Sequence, residues 1–339
     1  MDDDYSPETR QDRITKQWVA FAPTRRERPH RTASDARPET DDDDAPVEGC
    51  PFCPGHEAML PSVLWELGGG PNRPWRTRAV PNKFPALTPT APSPSNPASS
   101  LYASQPSRGR QEVIIETPAH HRSPAQFTTH EMDGLLRTYL ARYRAIRQAD
   151  GGLLPVLFRN HGAAAGASID HPHSQLMALS FDPPHLQREE AAAEARYDEH
   201  GRCPYCAMID AELQAEDRLV RTTDDFVLFT PYAAREPYEM WILPRRHEPE
   251  VGRMTDAERR ALANVLQDAL WRLDVCLDDP DYNYFFRTAL TYESDAPYLH
   301  WTLRIRPRLS VDAGFEQCTD VRVNPSIPER DAAVLRAAG

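Results

Sequence analysis

The sequence lacks any apolar run long enough to cross a membrane, and it lacks an excess of positive charge. A transmembrane helix needs about 20 consecutive apolar residues, and no stretch approaches that length. The 339 residues carry 51 acidic and 39 basic side chains, a formal net charge of −12. Such a balance disfavours a protein that binds nucleic-acid backbones, which needs a basic face. The acidic start MDDDYSPETR has no apolar segment of a secretion signal. We therefore expect a cytoplasmic protein with neither nucleic acid nor membrane as partner.

Lysine and glycine are also scarce. Lys16 and Lys83 are the only lysines, so nearly every cationic side chain is a guanidinium group, which suits two-point contact with phosphate or carboxylate. A genomic base-composition bias is the simpler explanation, so the arginine content alone assigns no function. Glycine accounts for 15 residues and proline for 33, which predicts many rigid turns.

Four of the six cysteines form two C-x-x-C pairs, CPFC at 50–53 and CPYC at 203–206. In a chain without an export signal such pairs indicate metal ligands or a redox site more often than disulfides. We consider a thioredoxin-like redox role the weaker alternative, because neither pair is predicted to open a helix after a strand and both have proline after the first cysteine.

The order of elements repeats along the chain. In each half a C-x-x-C pair is followed by strand-like segments, a histidine, a capping box, a long amphipathic helix, an apolar strand and a further histidine. The boxes are Thr128 with Glu131, and Thr255 with Glu258. The second and third histidine elements are 51 residues apart in the first half (120 to 171) and 53 in the second (247 to 300). We therefore predict a duplicated α+β fold, with an antiparallel sheet and a long helix in each half, divided into residues 1–190 and 191–339.

Each half offers two cysteines and two histidines, the ligand set that tetrahedral Zn²⁺ prefers. With four protein ligands no position is left for water, so we predict two structural zinc sites. Spacing alone does not choose between His120 and His121, and buried cysteines with ordinary polar histidines are the simpler alternative for any single pair. The predicted sites are Cys50, Cys53, His120 (or His121) and His171 in the first half, and Cys203, Cys206, His247 and His300 in the second.

The symmetry of the repeat breaks after the last ligand of the first half. His171 is followed by His173 and Gln175, whereas His300 is followed by Trp301 and Thr302. In extended chain, residues i and i+2 face the same side. A metal on His171 would therefore hold His173 at a fixed orientation, which suits attack by a neutral imidazole on phosphorus. Gln175 could donate a hydrogen bond to the phosphate.

Two further segments fit a phosphate-bearing substrate. The small residues of GAAAGAS, Gly162 to Ser168, allow backbone N–H groups to approach a diphosphate. Arg25, Arg26 and Arg28 form a guanidinium cluster of the kind that binds phosphate, although an exposed basic face explains such a cluster about as well.

Together these motifs resemble the galactose-1-phosphate uridylyltransferase family, a branch of the histidine-triad superfamily. The resemblance rests on CPFC with FRNHGAAAGASIDHPHSQ, on CPYC with YLHWTLRI, and on WVAFAPTRRERP, AVPNKFPAL and GFEQCTDVRVNPSIPE, so it spans nearly the whole chain. It implies that His173 becomes nucleotidylated, that Gln175 steadies the phosphate, and that His120, not His121, binds the metal. It also implies a homodimer in which Arg25 and Arg28 reach a phosphate across the interface. Further implied substrate contacts are Asn82, Phe84, Asn160, Gly162 and Ser168.

The resemblance implies ping-pong transfer of UMP from UDP-glucose, a nucleotide sugar, to galactose 1-phosphate, a sugar 1-phosphate, in galactose metabolism. Ser174 and the GFE…T…NP ending are more similar to the branch containing ADP-glucose phosphorylase, so adenylyl transfer to phosphate, from ADP-glucose or a dinucleoside tetraphosphate, is the alternative. Outside enzymes, the alternative is a zinc-stapled nucleotide-binding module.

Overall fold

A computed structural model describes residues 8–12, 14–22, 46–70, 74–91, 101–102, 104–149, 152–290 and 295–339. Its strands form a large ten-stranded sheet and a small three-stranded sheet. The strands are β1 (Glu8–Gln11), β2 (Trp18–Phe21), β3 (Trp65–Gly68), β4 (Trp75–Pro81), β5 (Gly109–Ile115), β6 (Leu154–His161), β7 (His173–Leu179), β8 (Leu219–Thr222), β9 (Phe226–Phe229), β10 (Met240–Pro244), β11 (Tyr282–Arg287), β12 (Thr302–Pro307) and β13 (Arg322–Asn324). The α-helices are α1 (Thr129–Ala149), α2 (Pro184–His200), α3 (Pro204–Ala215), α4 (Asp256–Leu277), α5 (Gly314–Thr319) and α6 (Pro328–Ala337).

The large sheet displays the duplication directly. Its order is β3-β4-β5-β7-β6-β11-β12-β10-β9-β8, with all neighbouring strands antiparallel. The strands β3 to β7 of the first half and β8 to β12 of the second follow the same order in mirror image, with α1 and α4 at equivalent places in the chain. The predicted duplicated α+β fold is confirmed. The sheets predicted for the two halves are not separate, however, because β6 of the first half pairs with β11 of the second and makes them one sheet.

Both long helices begin at the predicted capping boxes. The backbone N–H of Thr128 donates to Glu131 Oε2 at 2.8 Å, and that of Thr255 donates to Glu258 Oε2, also at 2.8 Å. These bonds satisfy backbone donors that the start of a helix leaves without an intrahelical partner. The buried faces of α1 and α4 pack against each other and against one face of the large sheet, where they form the main hydrophobic core.

Strand alternation assigns the two faces of the sheet. In β7, Leu176 and Ala178 belong to the core beneath the helices, so His173 and Gln175 face the opposite side. That opposite side carries both cysteine pairs, with α3 packed there in the second half. The catalytic candidates of the first half therefore share a face with the predicted metal ligands.

Helix α2 forms at the charged segment of residues 182–201 and places a carboxylate under the second half of the sheet. Glu189 is 2% exposed and accepts hydrogen bonds from Arg287 Nε at 2.6 Å and from Arg304 Nη1 at 2.8 Å. Burial by itself raises the pKa of Glu189, but the positive charges of Arg304 and Arg287 outweigh it and leave the pKa well below the usual range. The ionised carboxylate of Glu189 thus balances the charge of two buried arginines.

Replacing Glu189 by glutamine is expected to lower the free energy of unfolding at pH 7 by about 3 to 5 kcal/mol, because it leaves two buried guanidinium groups without their counter-charge. A carboxylate whose folded pKa is depressed contributes stability above its unfolded pKa, about 4.3, and that contribution is lost as the pH falls toward the folded value. The difference between wild type and variant should therefore shrink below about pH 4.3. Urea unfolding at several pH values measures it, with the exposed Glu199→Gln on the same helix as control. A Glu189→Gln loss no larger than that of the control would contradict the assignment.

The predicted boundary between the two domains falls inside a helix. The predicted division between residues 190 and 191 lies within α2, whose Glu189 and Glu190 contact the second half through Arg287 and the backbone N–H of Leu290. The position of the division therefore remains a prediction.

None of the helices in the described ranges is both long and apolar enough to span a bilayer.

Candidate active site and metal centres

The ligand atoms of the first predicted metal site converge. One atom each from Cys50, Cys53, His120 and His171 lies within 4.8 Å of all the others, and all four residues are buried. Cys53 Sγ is 3.2 Å from His120 Nδ1 and 3.6 Å from His171 Nδ1, while Cys50 Sγ is 3.7 Å from His171 Nδ1. Bonds of about 2.3 Å to sulfur and 2.0 Å to nitrogen give donor separations of roughly 3.5 Å around a tetrahedral ion. The cluster fits such an ion.

A backbone contact orients His171, the ligand candidate nearest to β7. His171 Nε2 lies 2.8 Å from the carbonyl oxygen of Thr117. Because a carbonyl only accepts, Nε2 carries the hydrogen, and Nδ1 presents its lone pair to the two cysteines. His120, rather than His121, joins the cluster, although the two rings touch at 4.5 Å between centroids.

The second predicted site converges in the same way. Cys203, Cys206, His247 and His300 bring their ligand atoms within 4.8 Å of one another. Cys206 Sγ lies 3.4 Å from His247 Nδ1 and 3.7 Å from His300 Nδ1, and His300 Nε2 donates to the carbonyl of Pro244 at 2.9 Å. This second set is the more exposed, at Cys206 and His247. Both Cys/His groups could therefore hold a metal ion.

The second cysteine pair lies at the start of a helix, since Cys203 is the N-cap of α3 and Cys206 lies in its first turn. Helix α3 follows helix α2, however, so this pair does not open a helix after a strand, in agreement with the prediction. A hydrogen bond from Cys206 is the main cause that lowers the pKa of Cys203, and the same contact raises the pKa of Cys206. The two histidines beside them still make the pair part of a metal-binding group rather than an isolated redox pair.

His173 begins β7 immediately after the first cluster. Its Nδ1 lies 2.9 Å from the carbonyl oxygen of His171, so Nδ1 carries the hydrogen and Nε2 has the free lone pair. The ring packs on Phe52 at 5.4 Å between centroids. Burial is the main cause that lowers the pKa of His173, which favours the neutral imidazole. A neutral ring with a fixed orientation is the form that can act as a nucleophile.

Gln175 is oriented by a residue that the sequence analysis missed. Gln111 on β5 accepts a hydrogen bond from the backbone N–H of Ala86 at 2.9 Å through its Oε1, and its Nε2 donates to Gln175 Oε1 at 3.1 Å. The backbone donor fixes which end of Gln111 is oxygen, and this in turn fixes Gln175. The Nε2 of Gln175 is thereby left as the outward donor.

The strand register aligns Asn160, a predicted substrate contact, with His173, the predicted nucleophile. Phe158 pairs with Gln175, and Arg159 pairs with Ser174. The next step of the same register places Asn160 level with His173, on the same face of the sheet. The loop of residues 162–168 follows, and Gly162 and Gly166 both have left-handed backbone angles, φ 81° and 88°, which favour glycine. Ser168 is exposed at the end of this loop.

Asn82 and Phe84 lie on the other side of β7, just beyond β4. The backbone N–H of Asn82 donates to the carbonyl of Gln111 at 2.8 Å, and the Asn82 side chain accepts from the N–H of Phe84 at 2.8 Å. Phe84 is 84% exposed, so its ring is accessible from solvent. The remaining predicted contacts, Arg25 and Arg28, lie outside the described residues.

A buried polar network contacts β7 from the helix side of the sheet. Arg159 Nε donates to Glu116 Oε2 at 2.9 Å, and Tyr139 donates to Glu116 Oε1 at 3.1 Å. Ser174, between His173 and Gln175 in sequence, hydrogen-bonds to both Glu116 and Tyr139. No sequence signal pointed to this network, because its members come from β6, β7, the residue after β5 and helix α1.

The chain matches two family models over most of its length. The N-terminal domain of galactose-1-phosphate uridyl transferase matches residues 1–183, and the C-terminal domain matches residues 192–301. An ADP-glucose phosphorylase from Arabidopsis thaliana is 33% identical over 98% of this chain and 93% of its own length. A galactose-1-phosphate uridylyltransferase from Thermotoga maritima is 28% identical over 75% of this chain and 82% of its own.

Solved structures agree. The crystal structure of an ADP-glucose phosphorylase from Arabidopsis thaliana with bound ADP-glucose is 32% identical, with a TM-score of 0.81, and the match covers 98% of this chain and 99% of that chain. A uridylyltransferase structure is 27% identical with a TM-score of 0.75, covering 98% of both chains. The fold, the two Cys/His groups and these matches lead to one conclusion: the chain belongs to the galactose-1-phosphate uridylyltransferase family, a family of nucleotidyltransferase enzymes.

Proposed function

We propose that the protein transfers a nucleotidyl group in two steps through His173. In the first step Nε2 attacks the α-phosphorus of a nucleotide sugar, an N–P bond forms, the bond from that phosphorus to the bridging oxygen breaks, and a sugar 1-phosphate leaves. In the second step a phosphate oxygen of the acceptor displaces the imidazole. The observation that carries the proposal is the hydrogen bond from His173 Nδ1 to the His171 carbonyl, because it aims Nε2 and stabilises the ring when it becomes positively charged.

Several neighbours would stabilise the charge that develops on phosphorus. Gln175 has its Nε2 directed outward and would donate to a non-bridging oxygen. We assign Asn160 and the backbone of Gly162 to Ser168 to the phosphate groups, and Asn82 with Phe84 to the nucleoside. Arg25 and Arg28 would neutralise phosphate charge across the interface of a homodimer, which sedimentation analysis can test.

We propose zinc for both Cys/His groups, each in a structural role. Two thiolates and two imidazoles form the closed tetrahedral set typical of structural zinc. The first ion would be held by Cys50, Cys53, His120 and His171 and would fix the chain just ahead of His173. The second would join α3 to β12. The protein's location in the cytoplasm also remains a prediction.

Two donor and acceptor pairs are candidates. Transfer of UMP from UDP-glucose to galactose 1-phosphate is supported by both matching family models. Transfer of AMP from ADP-glucose to inorganic phosphate is supported by the Arabidopsis thaliana relative, whose match extends over 98% of this chain. We propose the uridylyl reaction first and the adenylyl reaction as its competitor.

A donor and acceptor screen separates the two reactions. The enzyme is incubated with UDP-glucose or ADP-glucose labelled in the α-phosphate, and label bound to protein is measured before and after addition of galactose 1-phosphate or inorganic phosphate. The uridylyl proposal predicts label from UDP-glucose that galactose 1-phosphate removes. Label from ADP-glucose removed by phosphate would establish the competitor, and no protein-bound label from either donor would contradict nucleotidyl transfer through histidine.

A further inference from the structure

Two polar side chains of the second half reach across the seam to the loop of residues 162–168. Strand β11 pairs with β6 so that Asn283 lies opposite Asn160 and Tyr282 lies opposite His161. The loop follows β6 directly, so it emerges beside the beginning of β11. The part of the first half proposed to contact phosphate therefore rests against the second half.

Asn283 fixes the orientation of Asn160. Its Nδ2 donates to Asn160 Oδ1 at 2.9 Å and to the backbone carbonyl of Ala165, also at 2.9 Å. Because the carbonyl only accepts, the atom of Asn283 facing it is nitrogen, and the Asn160 atom facing that nitrogen is oxygen. The Nδ2 of Asn160 makes a long hydrogen bond of 3.5 Å to the Gly166 carbonyl. Because an amide nitrogen has two hydrogens, a second one can be donated to a phosphate oxygen.

Asp281 makes a second contact with the same loop. Its Oδ2 accepts a hydrogen bond from the backbone N–H of Ala164 at 2.6 Å. The carboxylate also occupies the space beside Gly162, where an added Cβ would lie only 1.7 Å from Oδ1. Within the loop, the N–H of Ala167 donates to the carbonyl of Gly162 at 3.0 Å. The loop is thus anchored twice, by Asp281 just before β11 and by Asn283 within β11.

We propose that Asn283 and Asp281 are positioning residues, supplied by the half without the nucleophile, that set Asn160 and the loop of residues 162–168 for the phosphates of the substrate. The inference rests on the proposed function. Groups that stabilise a phosphoryl transfer must be placed before the reaction begins, and small displacements are costly. An Asn160 amide without Asn283 can rotate and present its oxygen, which repels a phosphate.

The test compares Asn283→Ala with Asn264→Ala, the same change on helix α4, where the Asn264 side chain accepts a hydrogen bond from Arg221 and contacts neither Asn160 nor the loop of residues 162–168 among its described hydrogen bonds. We expect Asn283→Ala to weaken binding of UDP about tenfold, the size of one lost orienting hydrogen bond, while binding of uridine, which has no phosphate, changes little. ADP and adenosine replace them if ADP-glucose proves to be the donor. Asp281→Asn, which keeps an acceptor for Ala164, should bind UDP more tightly than Asp281→Ala.

Isothermal titration calorimetry measures both ligands, and thermal unfolding of each variant reports folding separately. Equal weakening for nucleoside and nucleotide, or a UDP affinity as high as that of the Asn264→Ala control, would overturn the inference. A wild-type enzyme that takes no label from either nucleotide sugar would instead overturn the proposed function. The two failures are therefore distinguishable.

Discussion

Replacement of His173 by alanine or glutamine should abolish protein-bound label and lower the rate of nucleotidyl exchange by about 10⁴-fold or more. The reason is that the covalent intermediate cannot form without the His173 imidazole. In the second half, Thr302 occupies the place in β12 that His173 occupies in β7, so no second imidazole can substitute there. Gln175 and Asn160 would remain, and binding of the nucleotide sugar should persist. The loss should therefore fall on the chemical step and not on substrate affinity.

Intact-mass measurement after incubation with UDP-glucose or ADP-glucose detects the nucleotidylated protein. The glutamine variant keeps most of the side-chain volume in contact with Phe52, which separates loss of the nucleophile from loss of packing. His130→Ala, at an exposed position near the start of α1, is the matched control and should react like wild type. Undiminished label on either His173 variant would show that another residue carries the nucleotide.

The two predicted zinc sites should differ in what their loss does to activity. Cys50→Ser is expected to reduce the bound zinc from two ions to one per chain and to lower activity strongly, because His171 then no longer fixes the chain before His173. Cys206→Ser should also remove one ion and lower the melting temperature, but should leave most activity in the fraction that stays folded. The distinction follows from the residue beside the second site, where Thr302 stands in place of a histidine.

Metal analysis by mass spectrometry, thermal unfolding and the exchange assay together test this difference. Cys276→Ser and Cys318→Ser are controls, since neither residue belongs to a Cys/His group in the described part of the chain. Equal activity losses for the two ligand variants would argue that both sites serve stability alone. Two zinc ions retained by Cys50→Ser would remove Cys50 from the ligand set.

Features that depend on local sequence were predictable. The capping boxes at Thr128 and Thr255 fixed the starts of the long helices, since cap contacts join residues three apart. The metal groups were predictable because the duplicated order of cysteines and histidines restricted the choice of partners. The family resemblance then selected His120 over His121.

Features that depend on strand register could not be predicted in the same way. Gln111 reaches Gln175 across 64 positions of sequence, and Asn283 reaches Asn160 across 123. Such contacts exist only once distant strands have paired, and a shift of one residue would turn each side chain to the other face. For the same reason the continuous sheet, which needs β6 and β11 to meet, was not evident from two separately predicted halves.

The pairing of β6 with β11 is also what a fused dimer of two identical chains would contain. Equivalent strands of two copies meet antiparallel, the arrangement that two identical chains related by a twofold axis would form. Gene fusion of such a pair would convert a contact between subunits into an internal one and release one copy from selection for catalysis. The second half could then lose its imidazole. Its edge strand, still paired with the first half, could acquire the polar side chains that now contact the loop of residues 162–168.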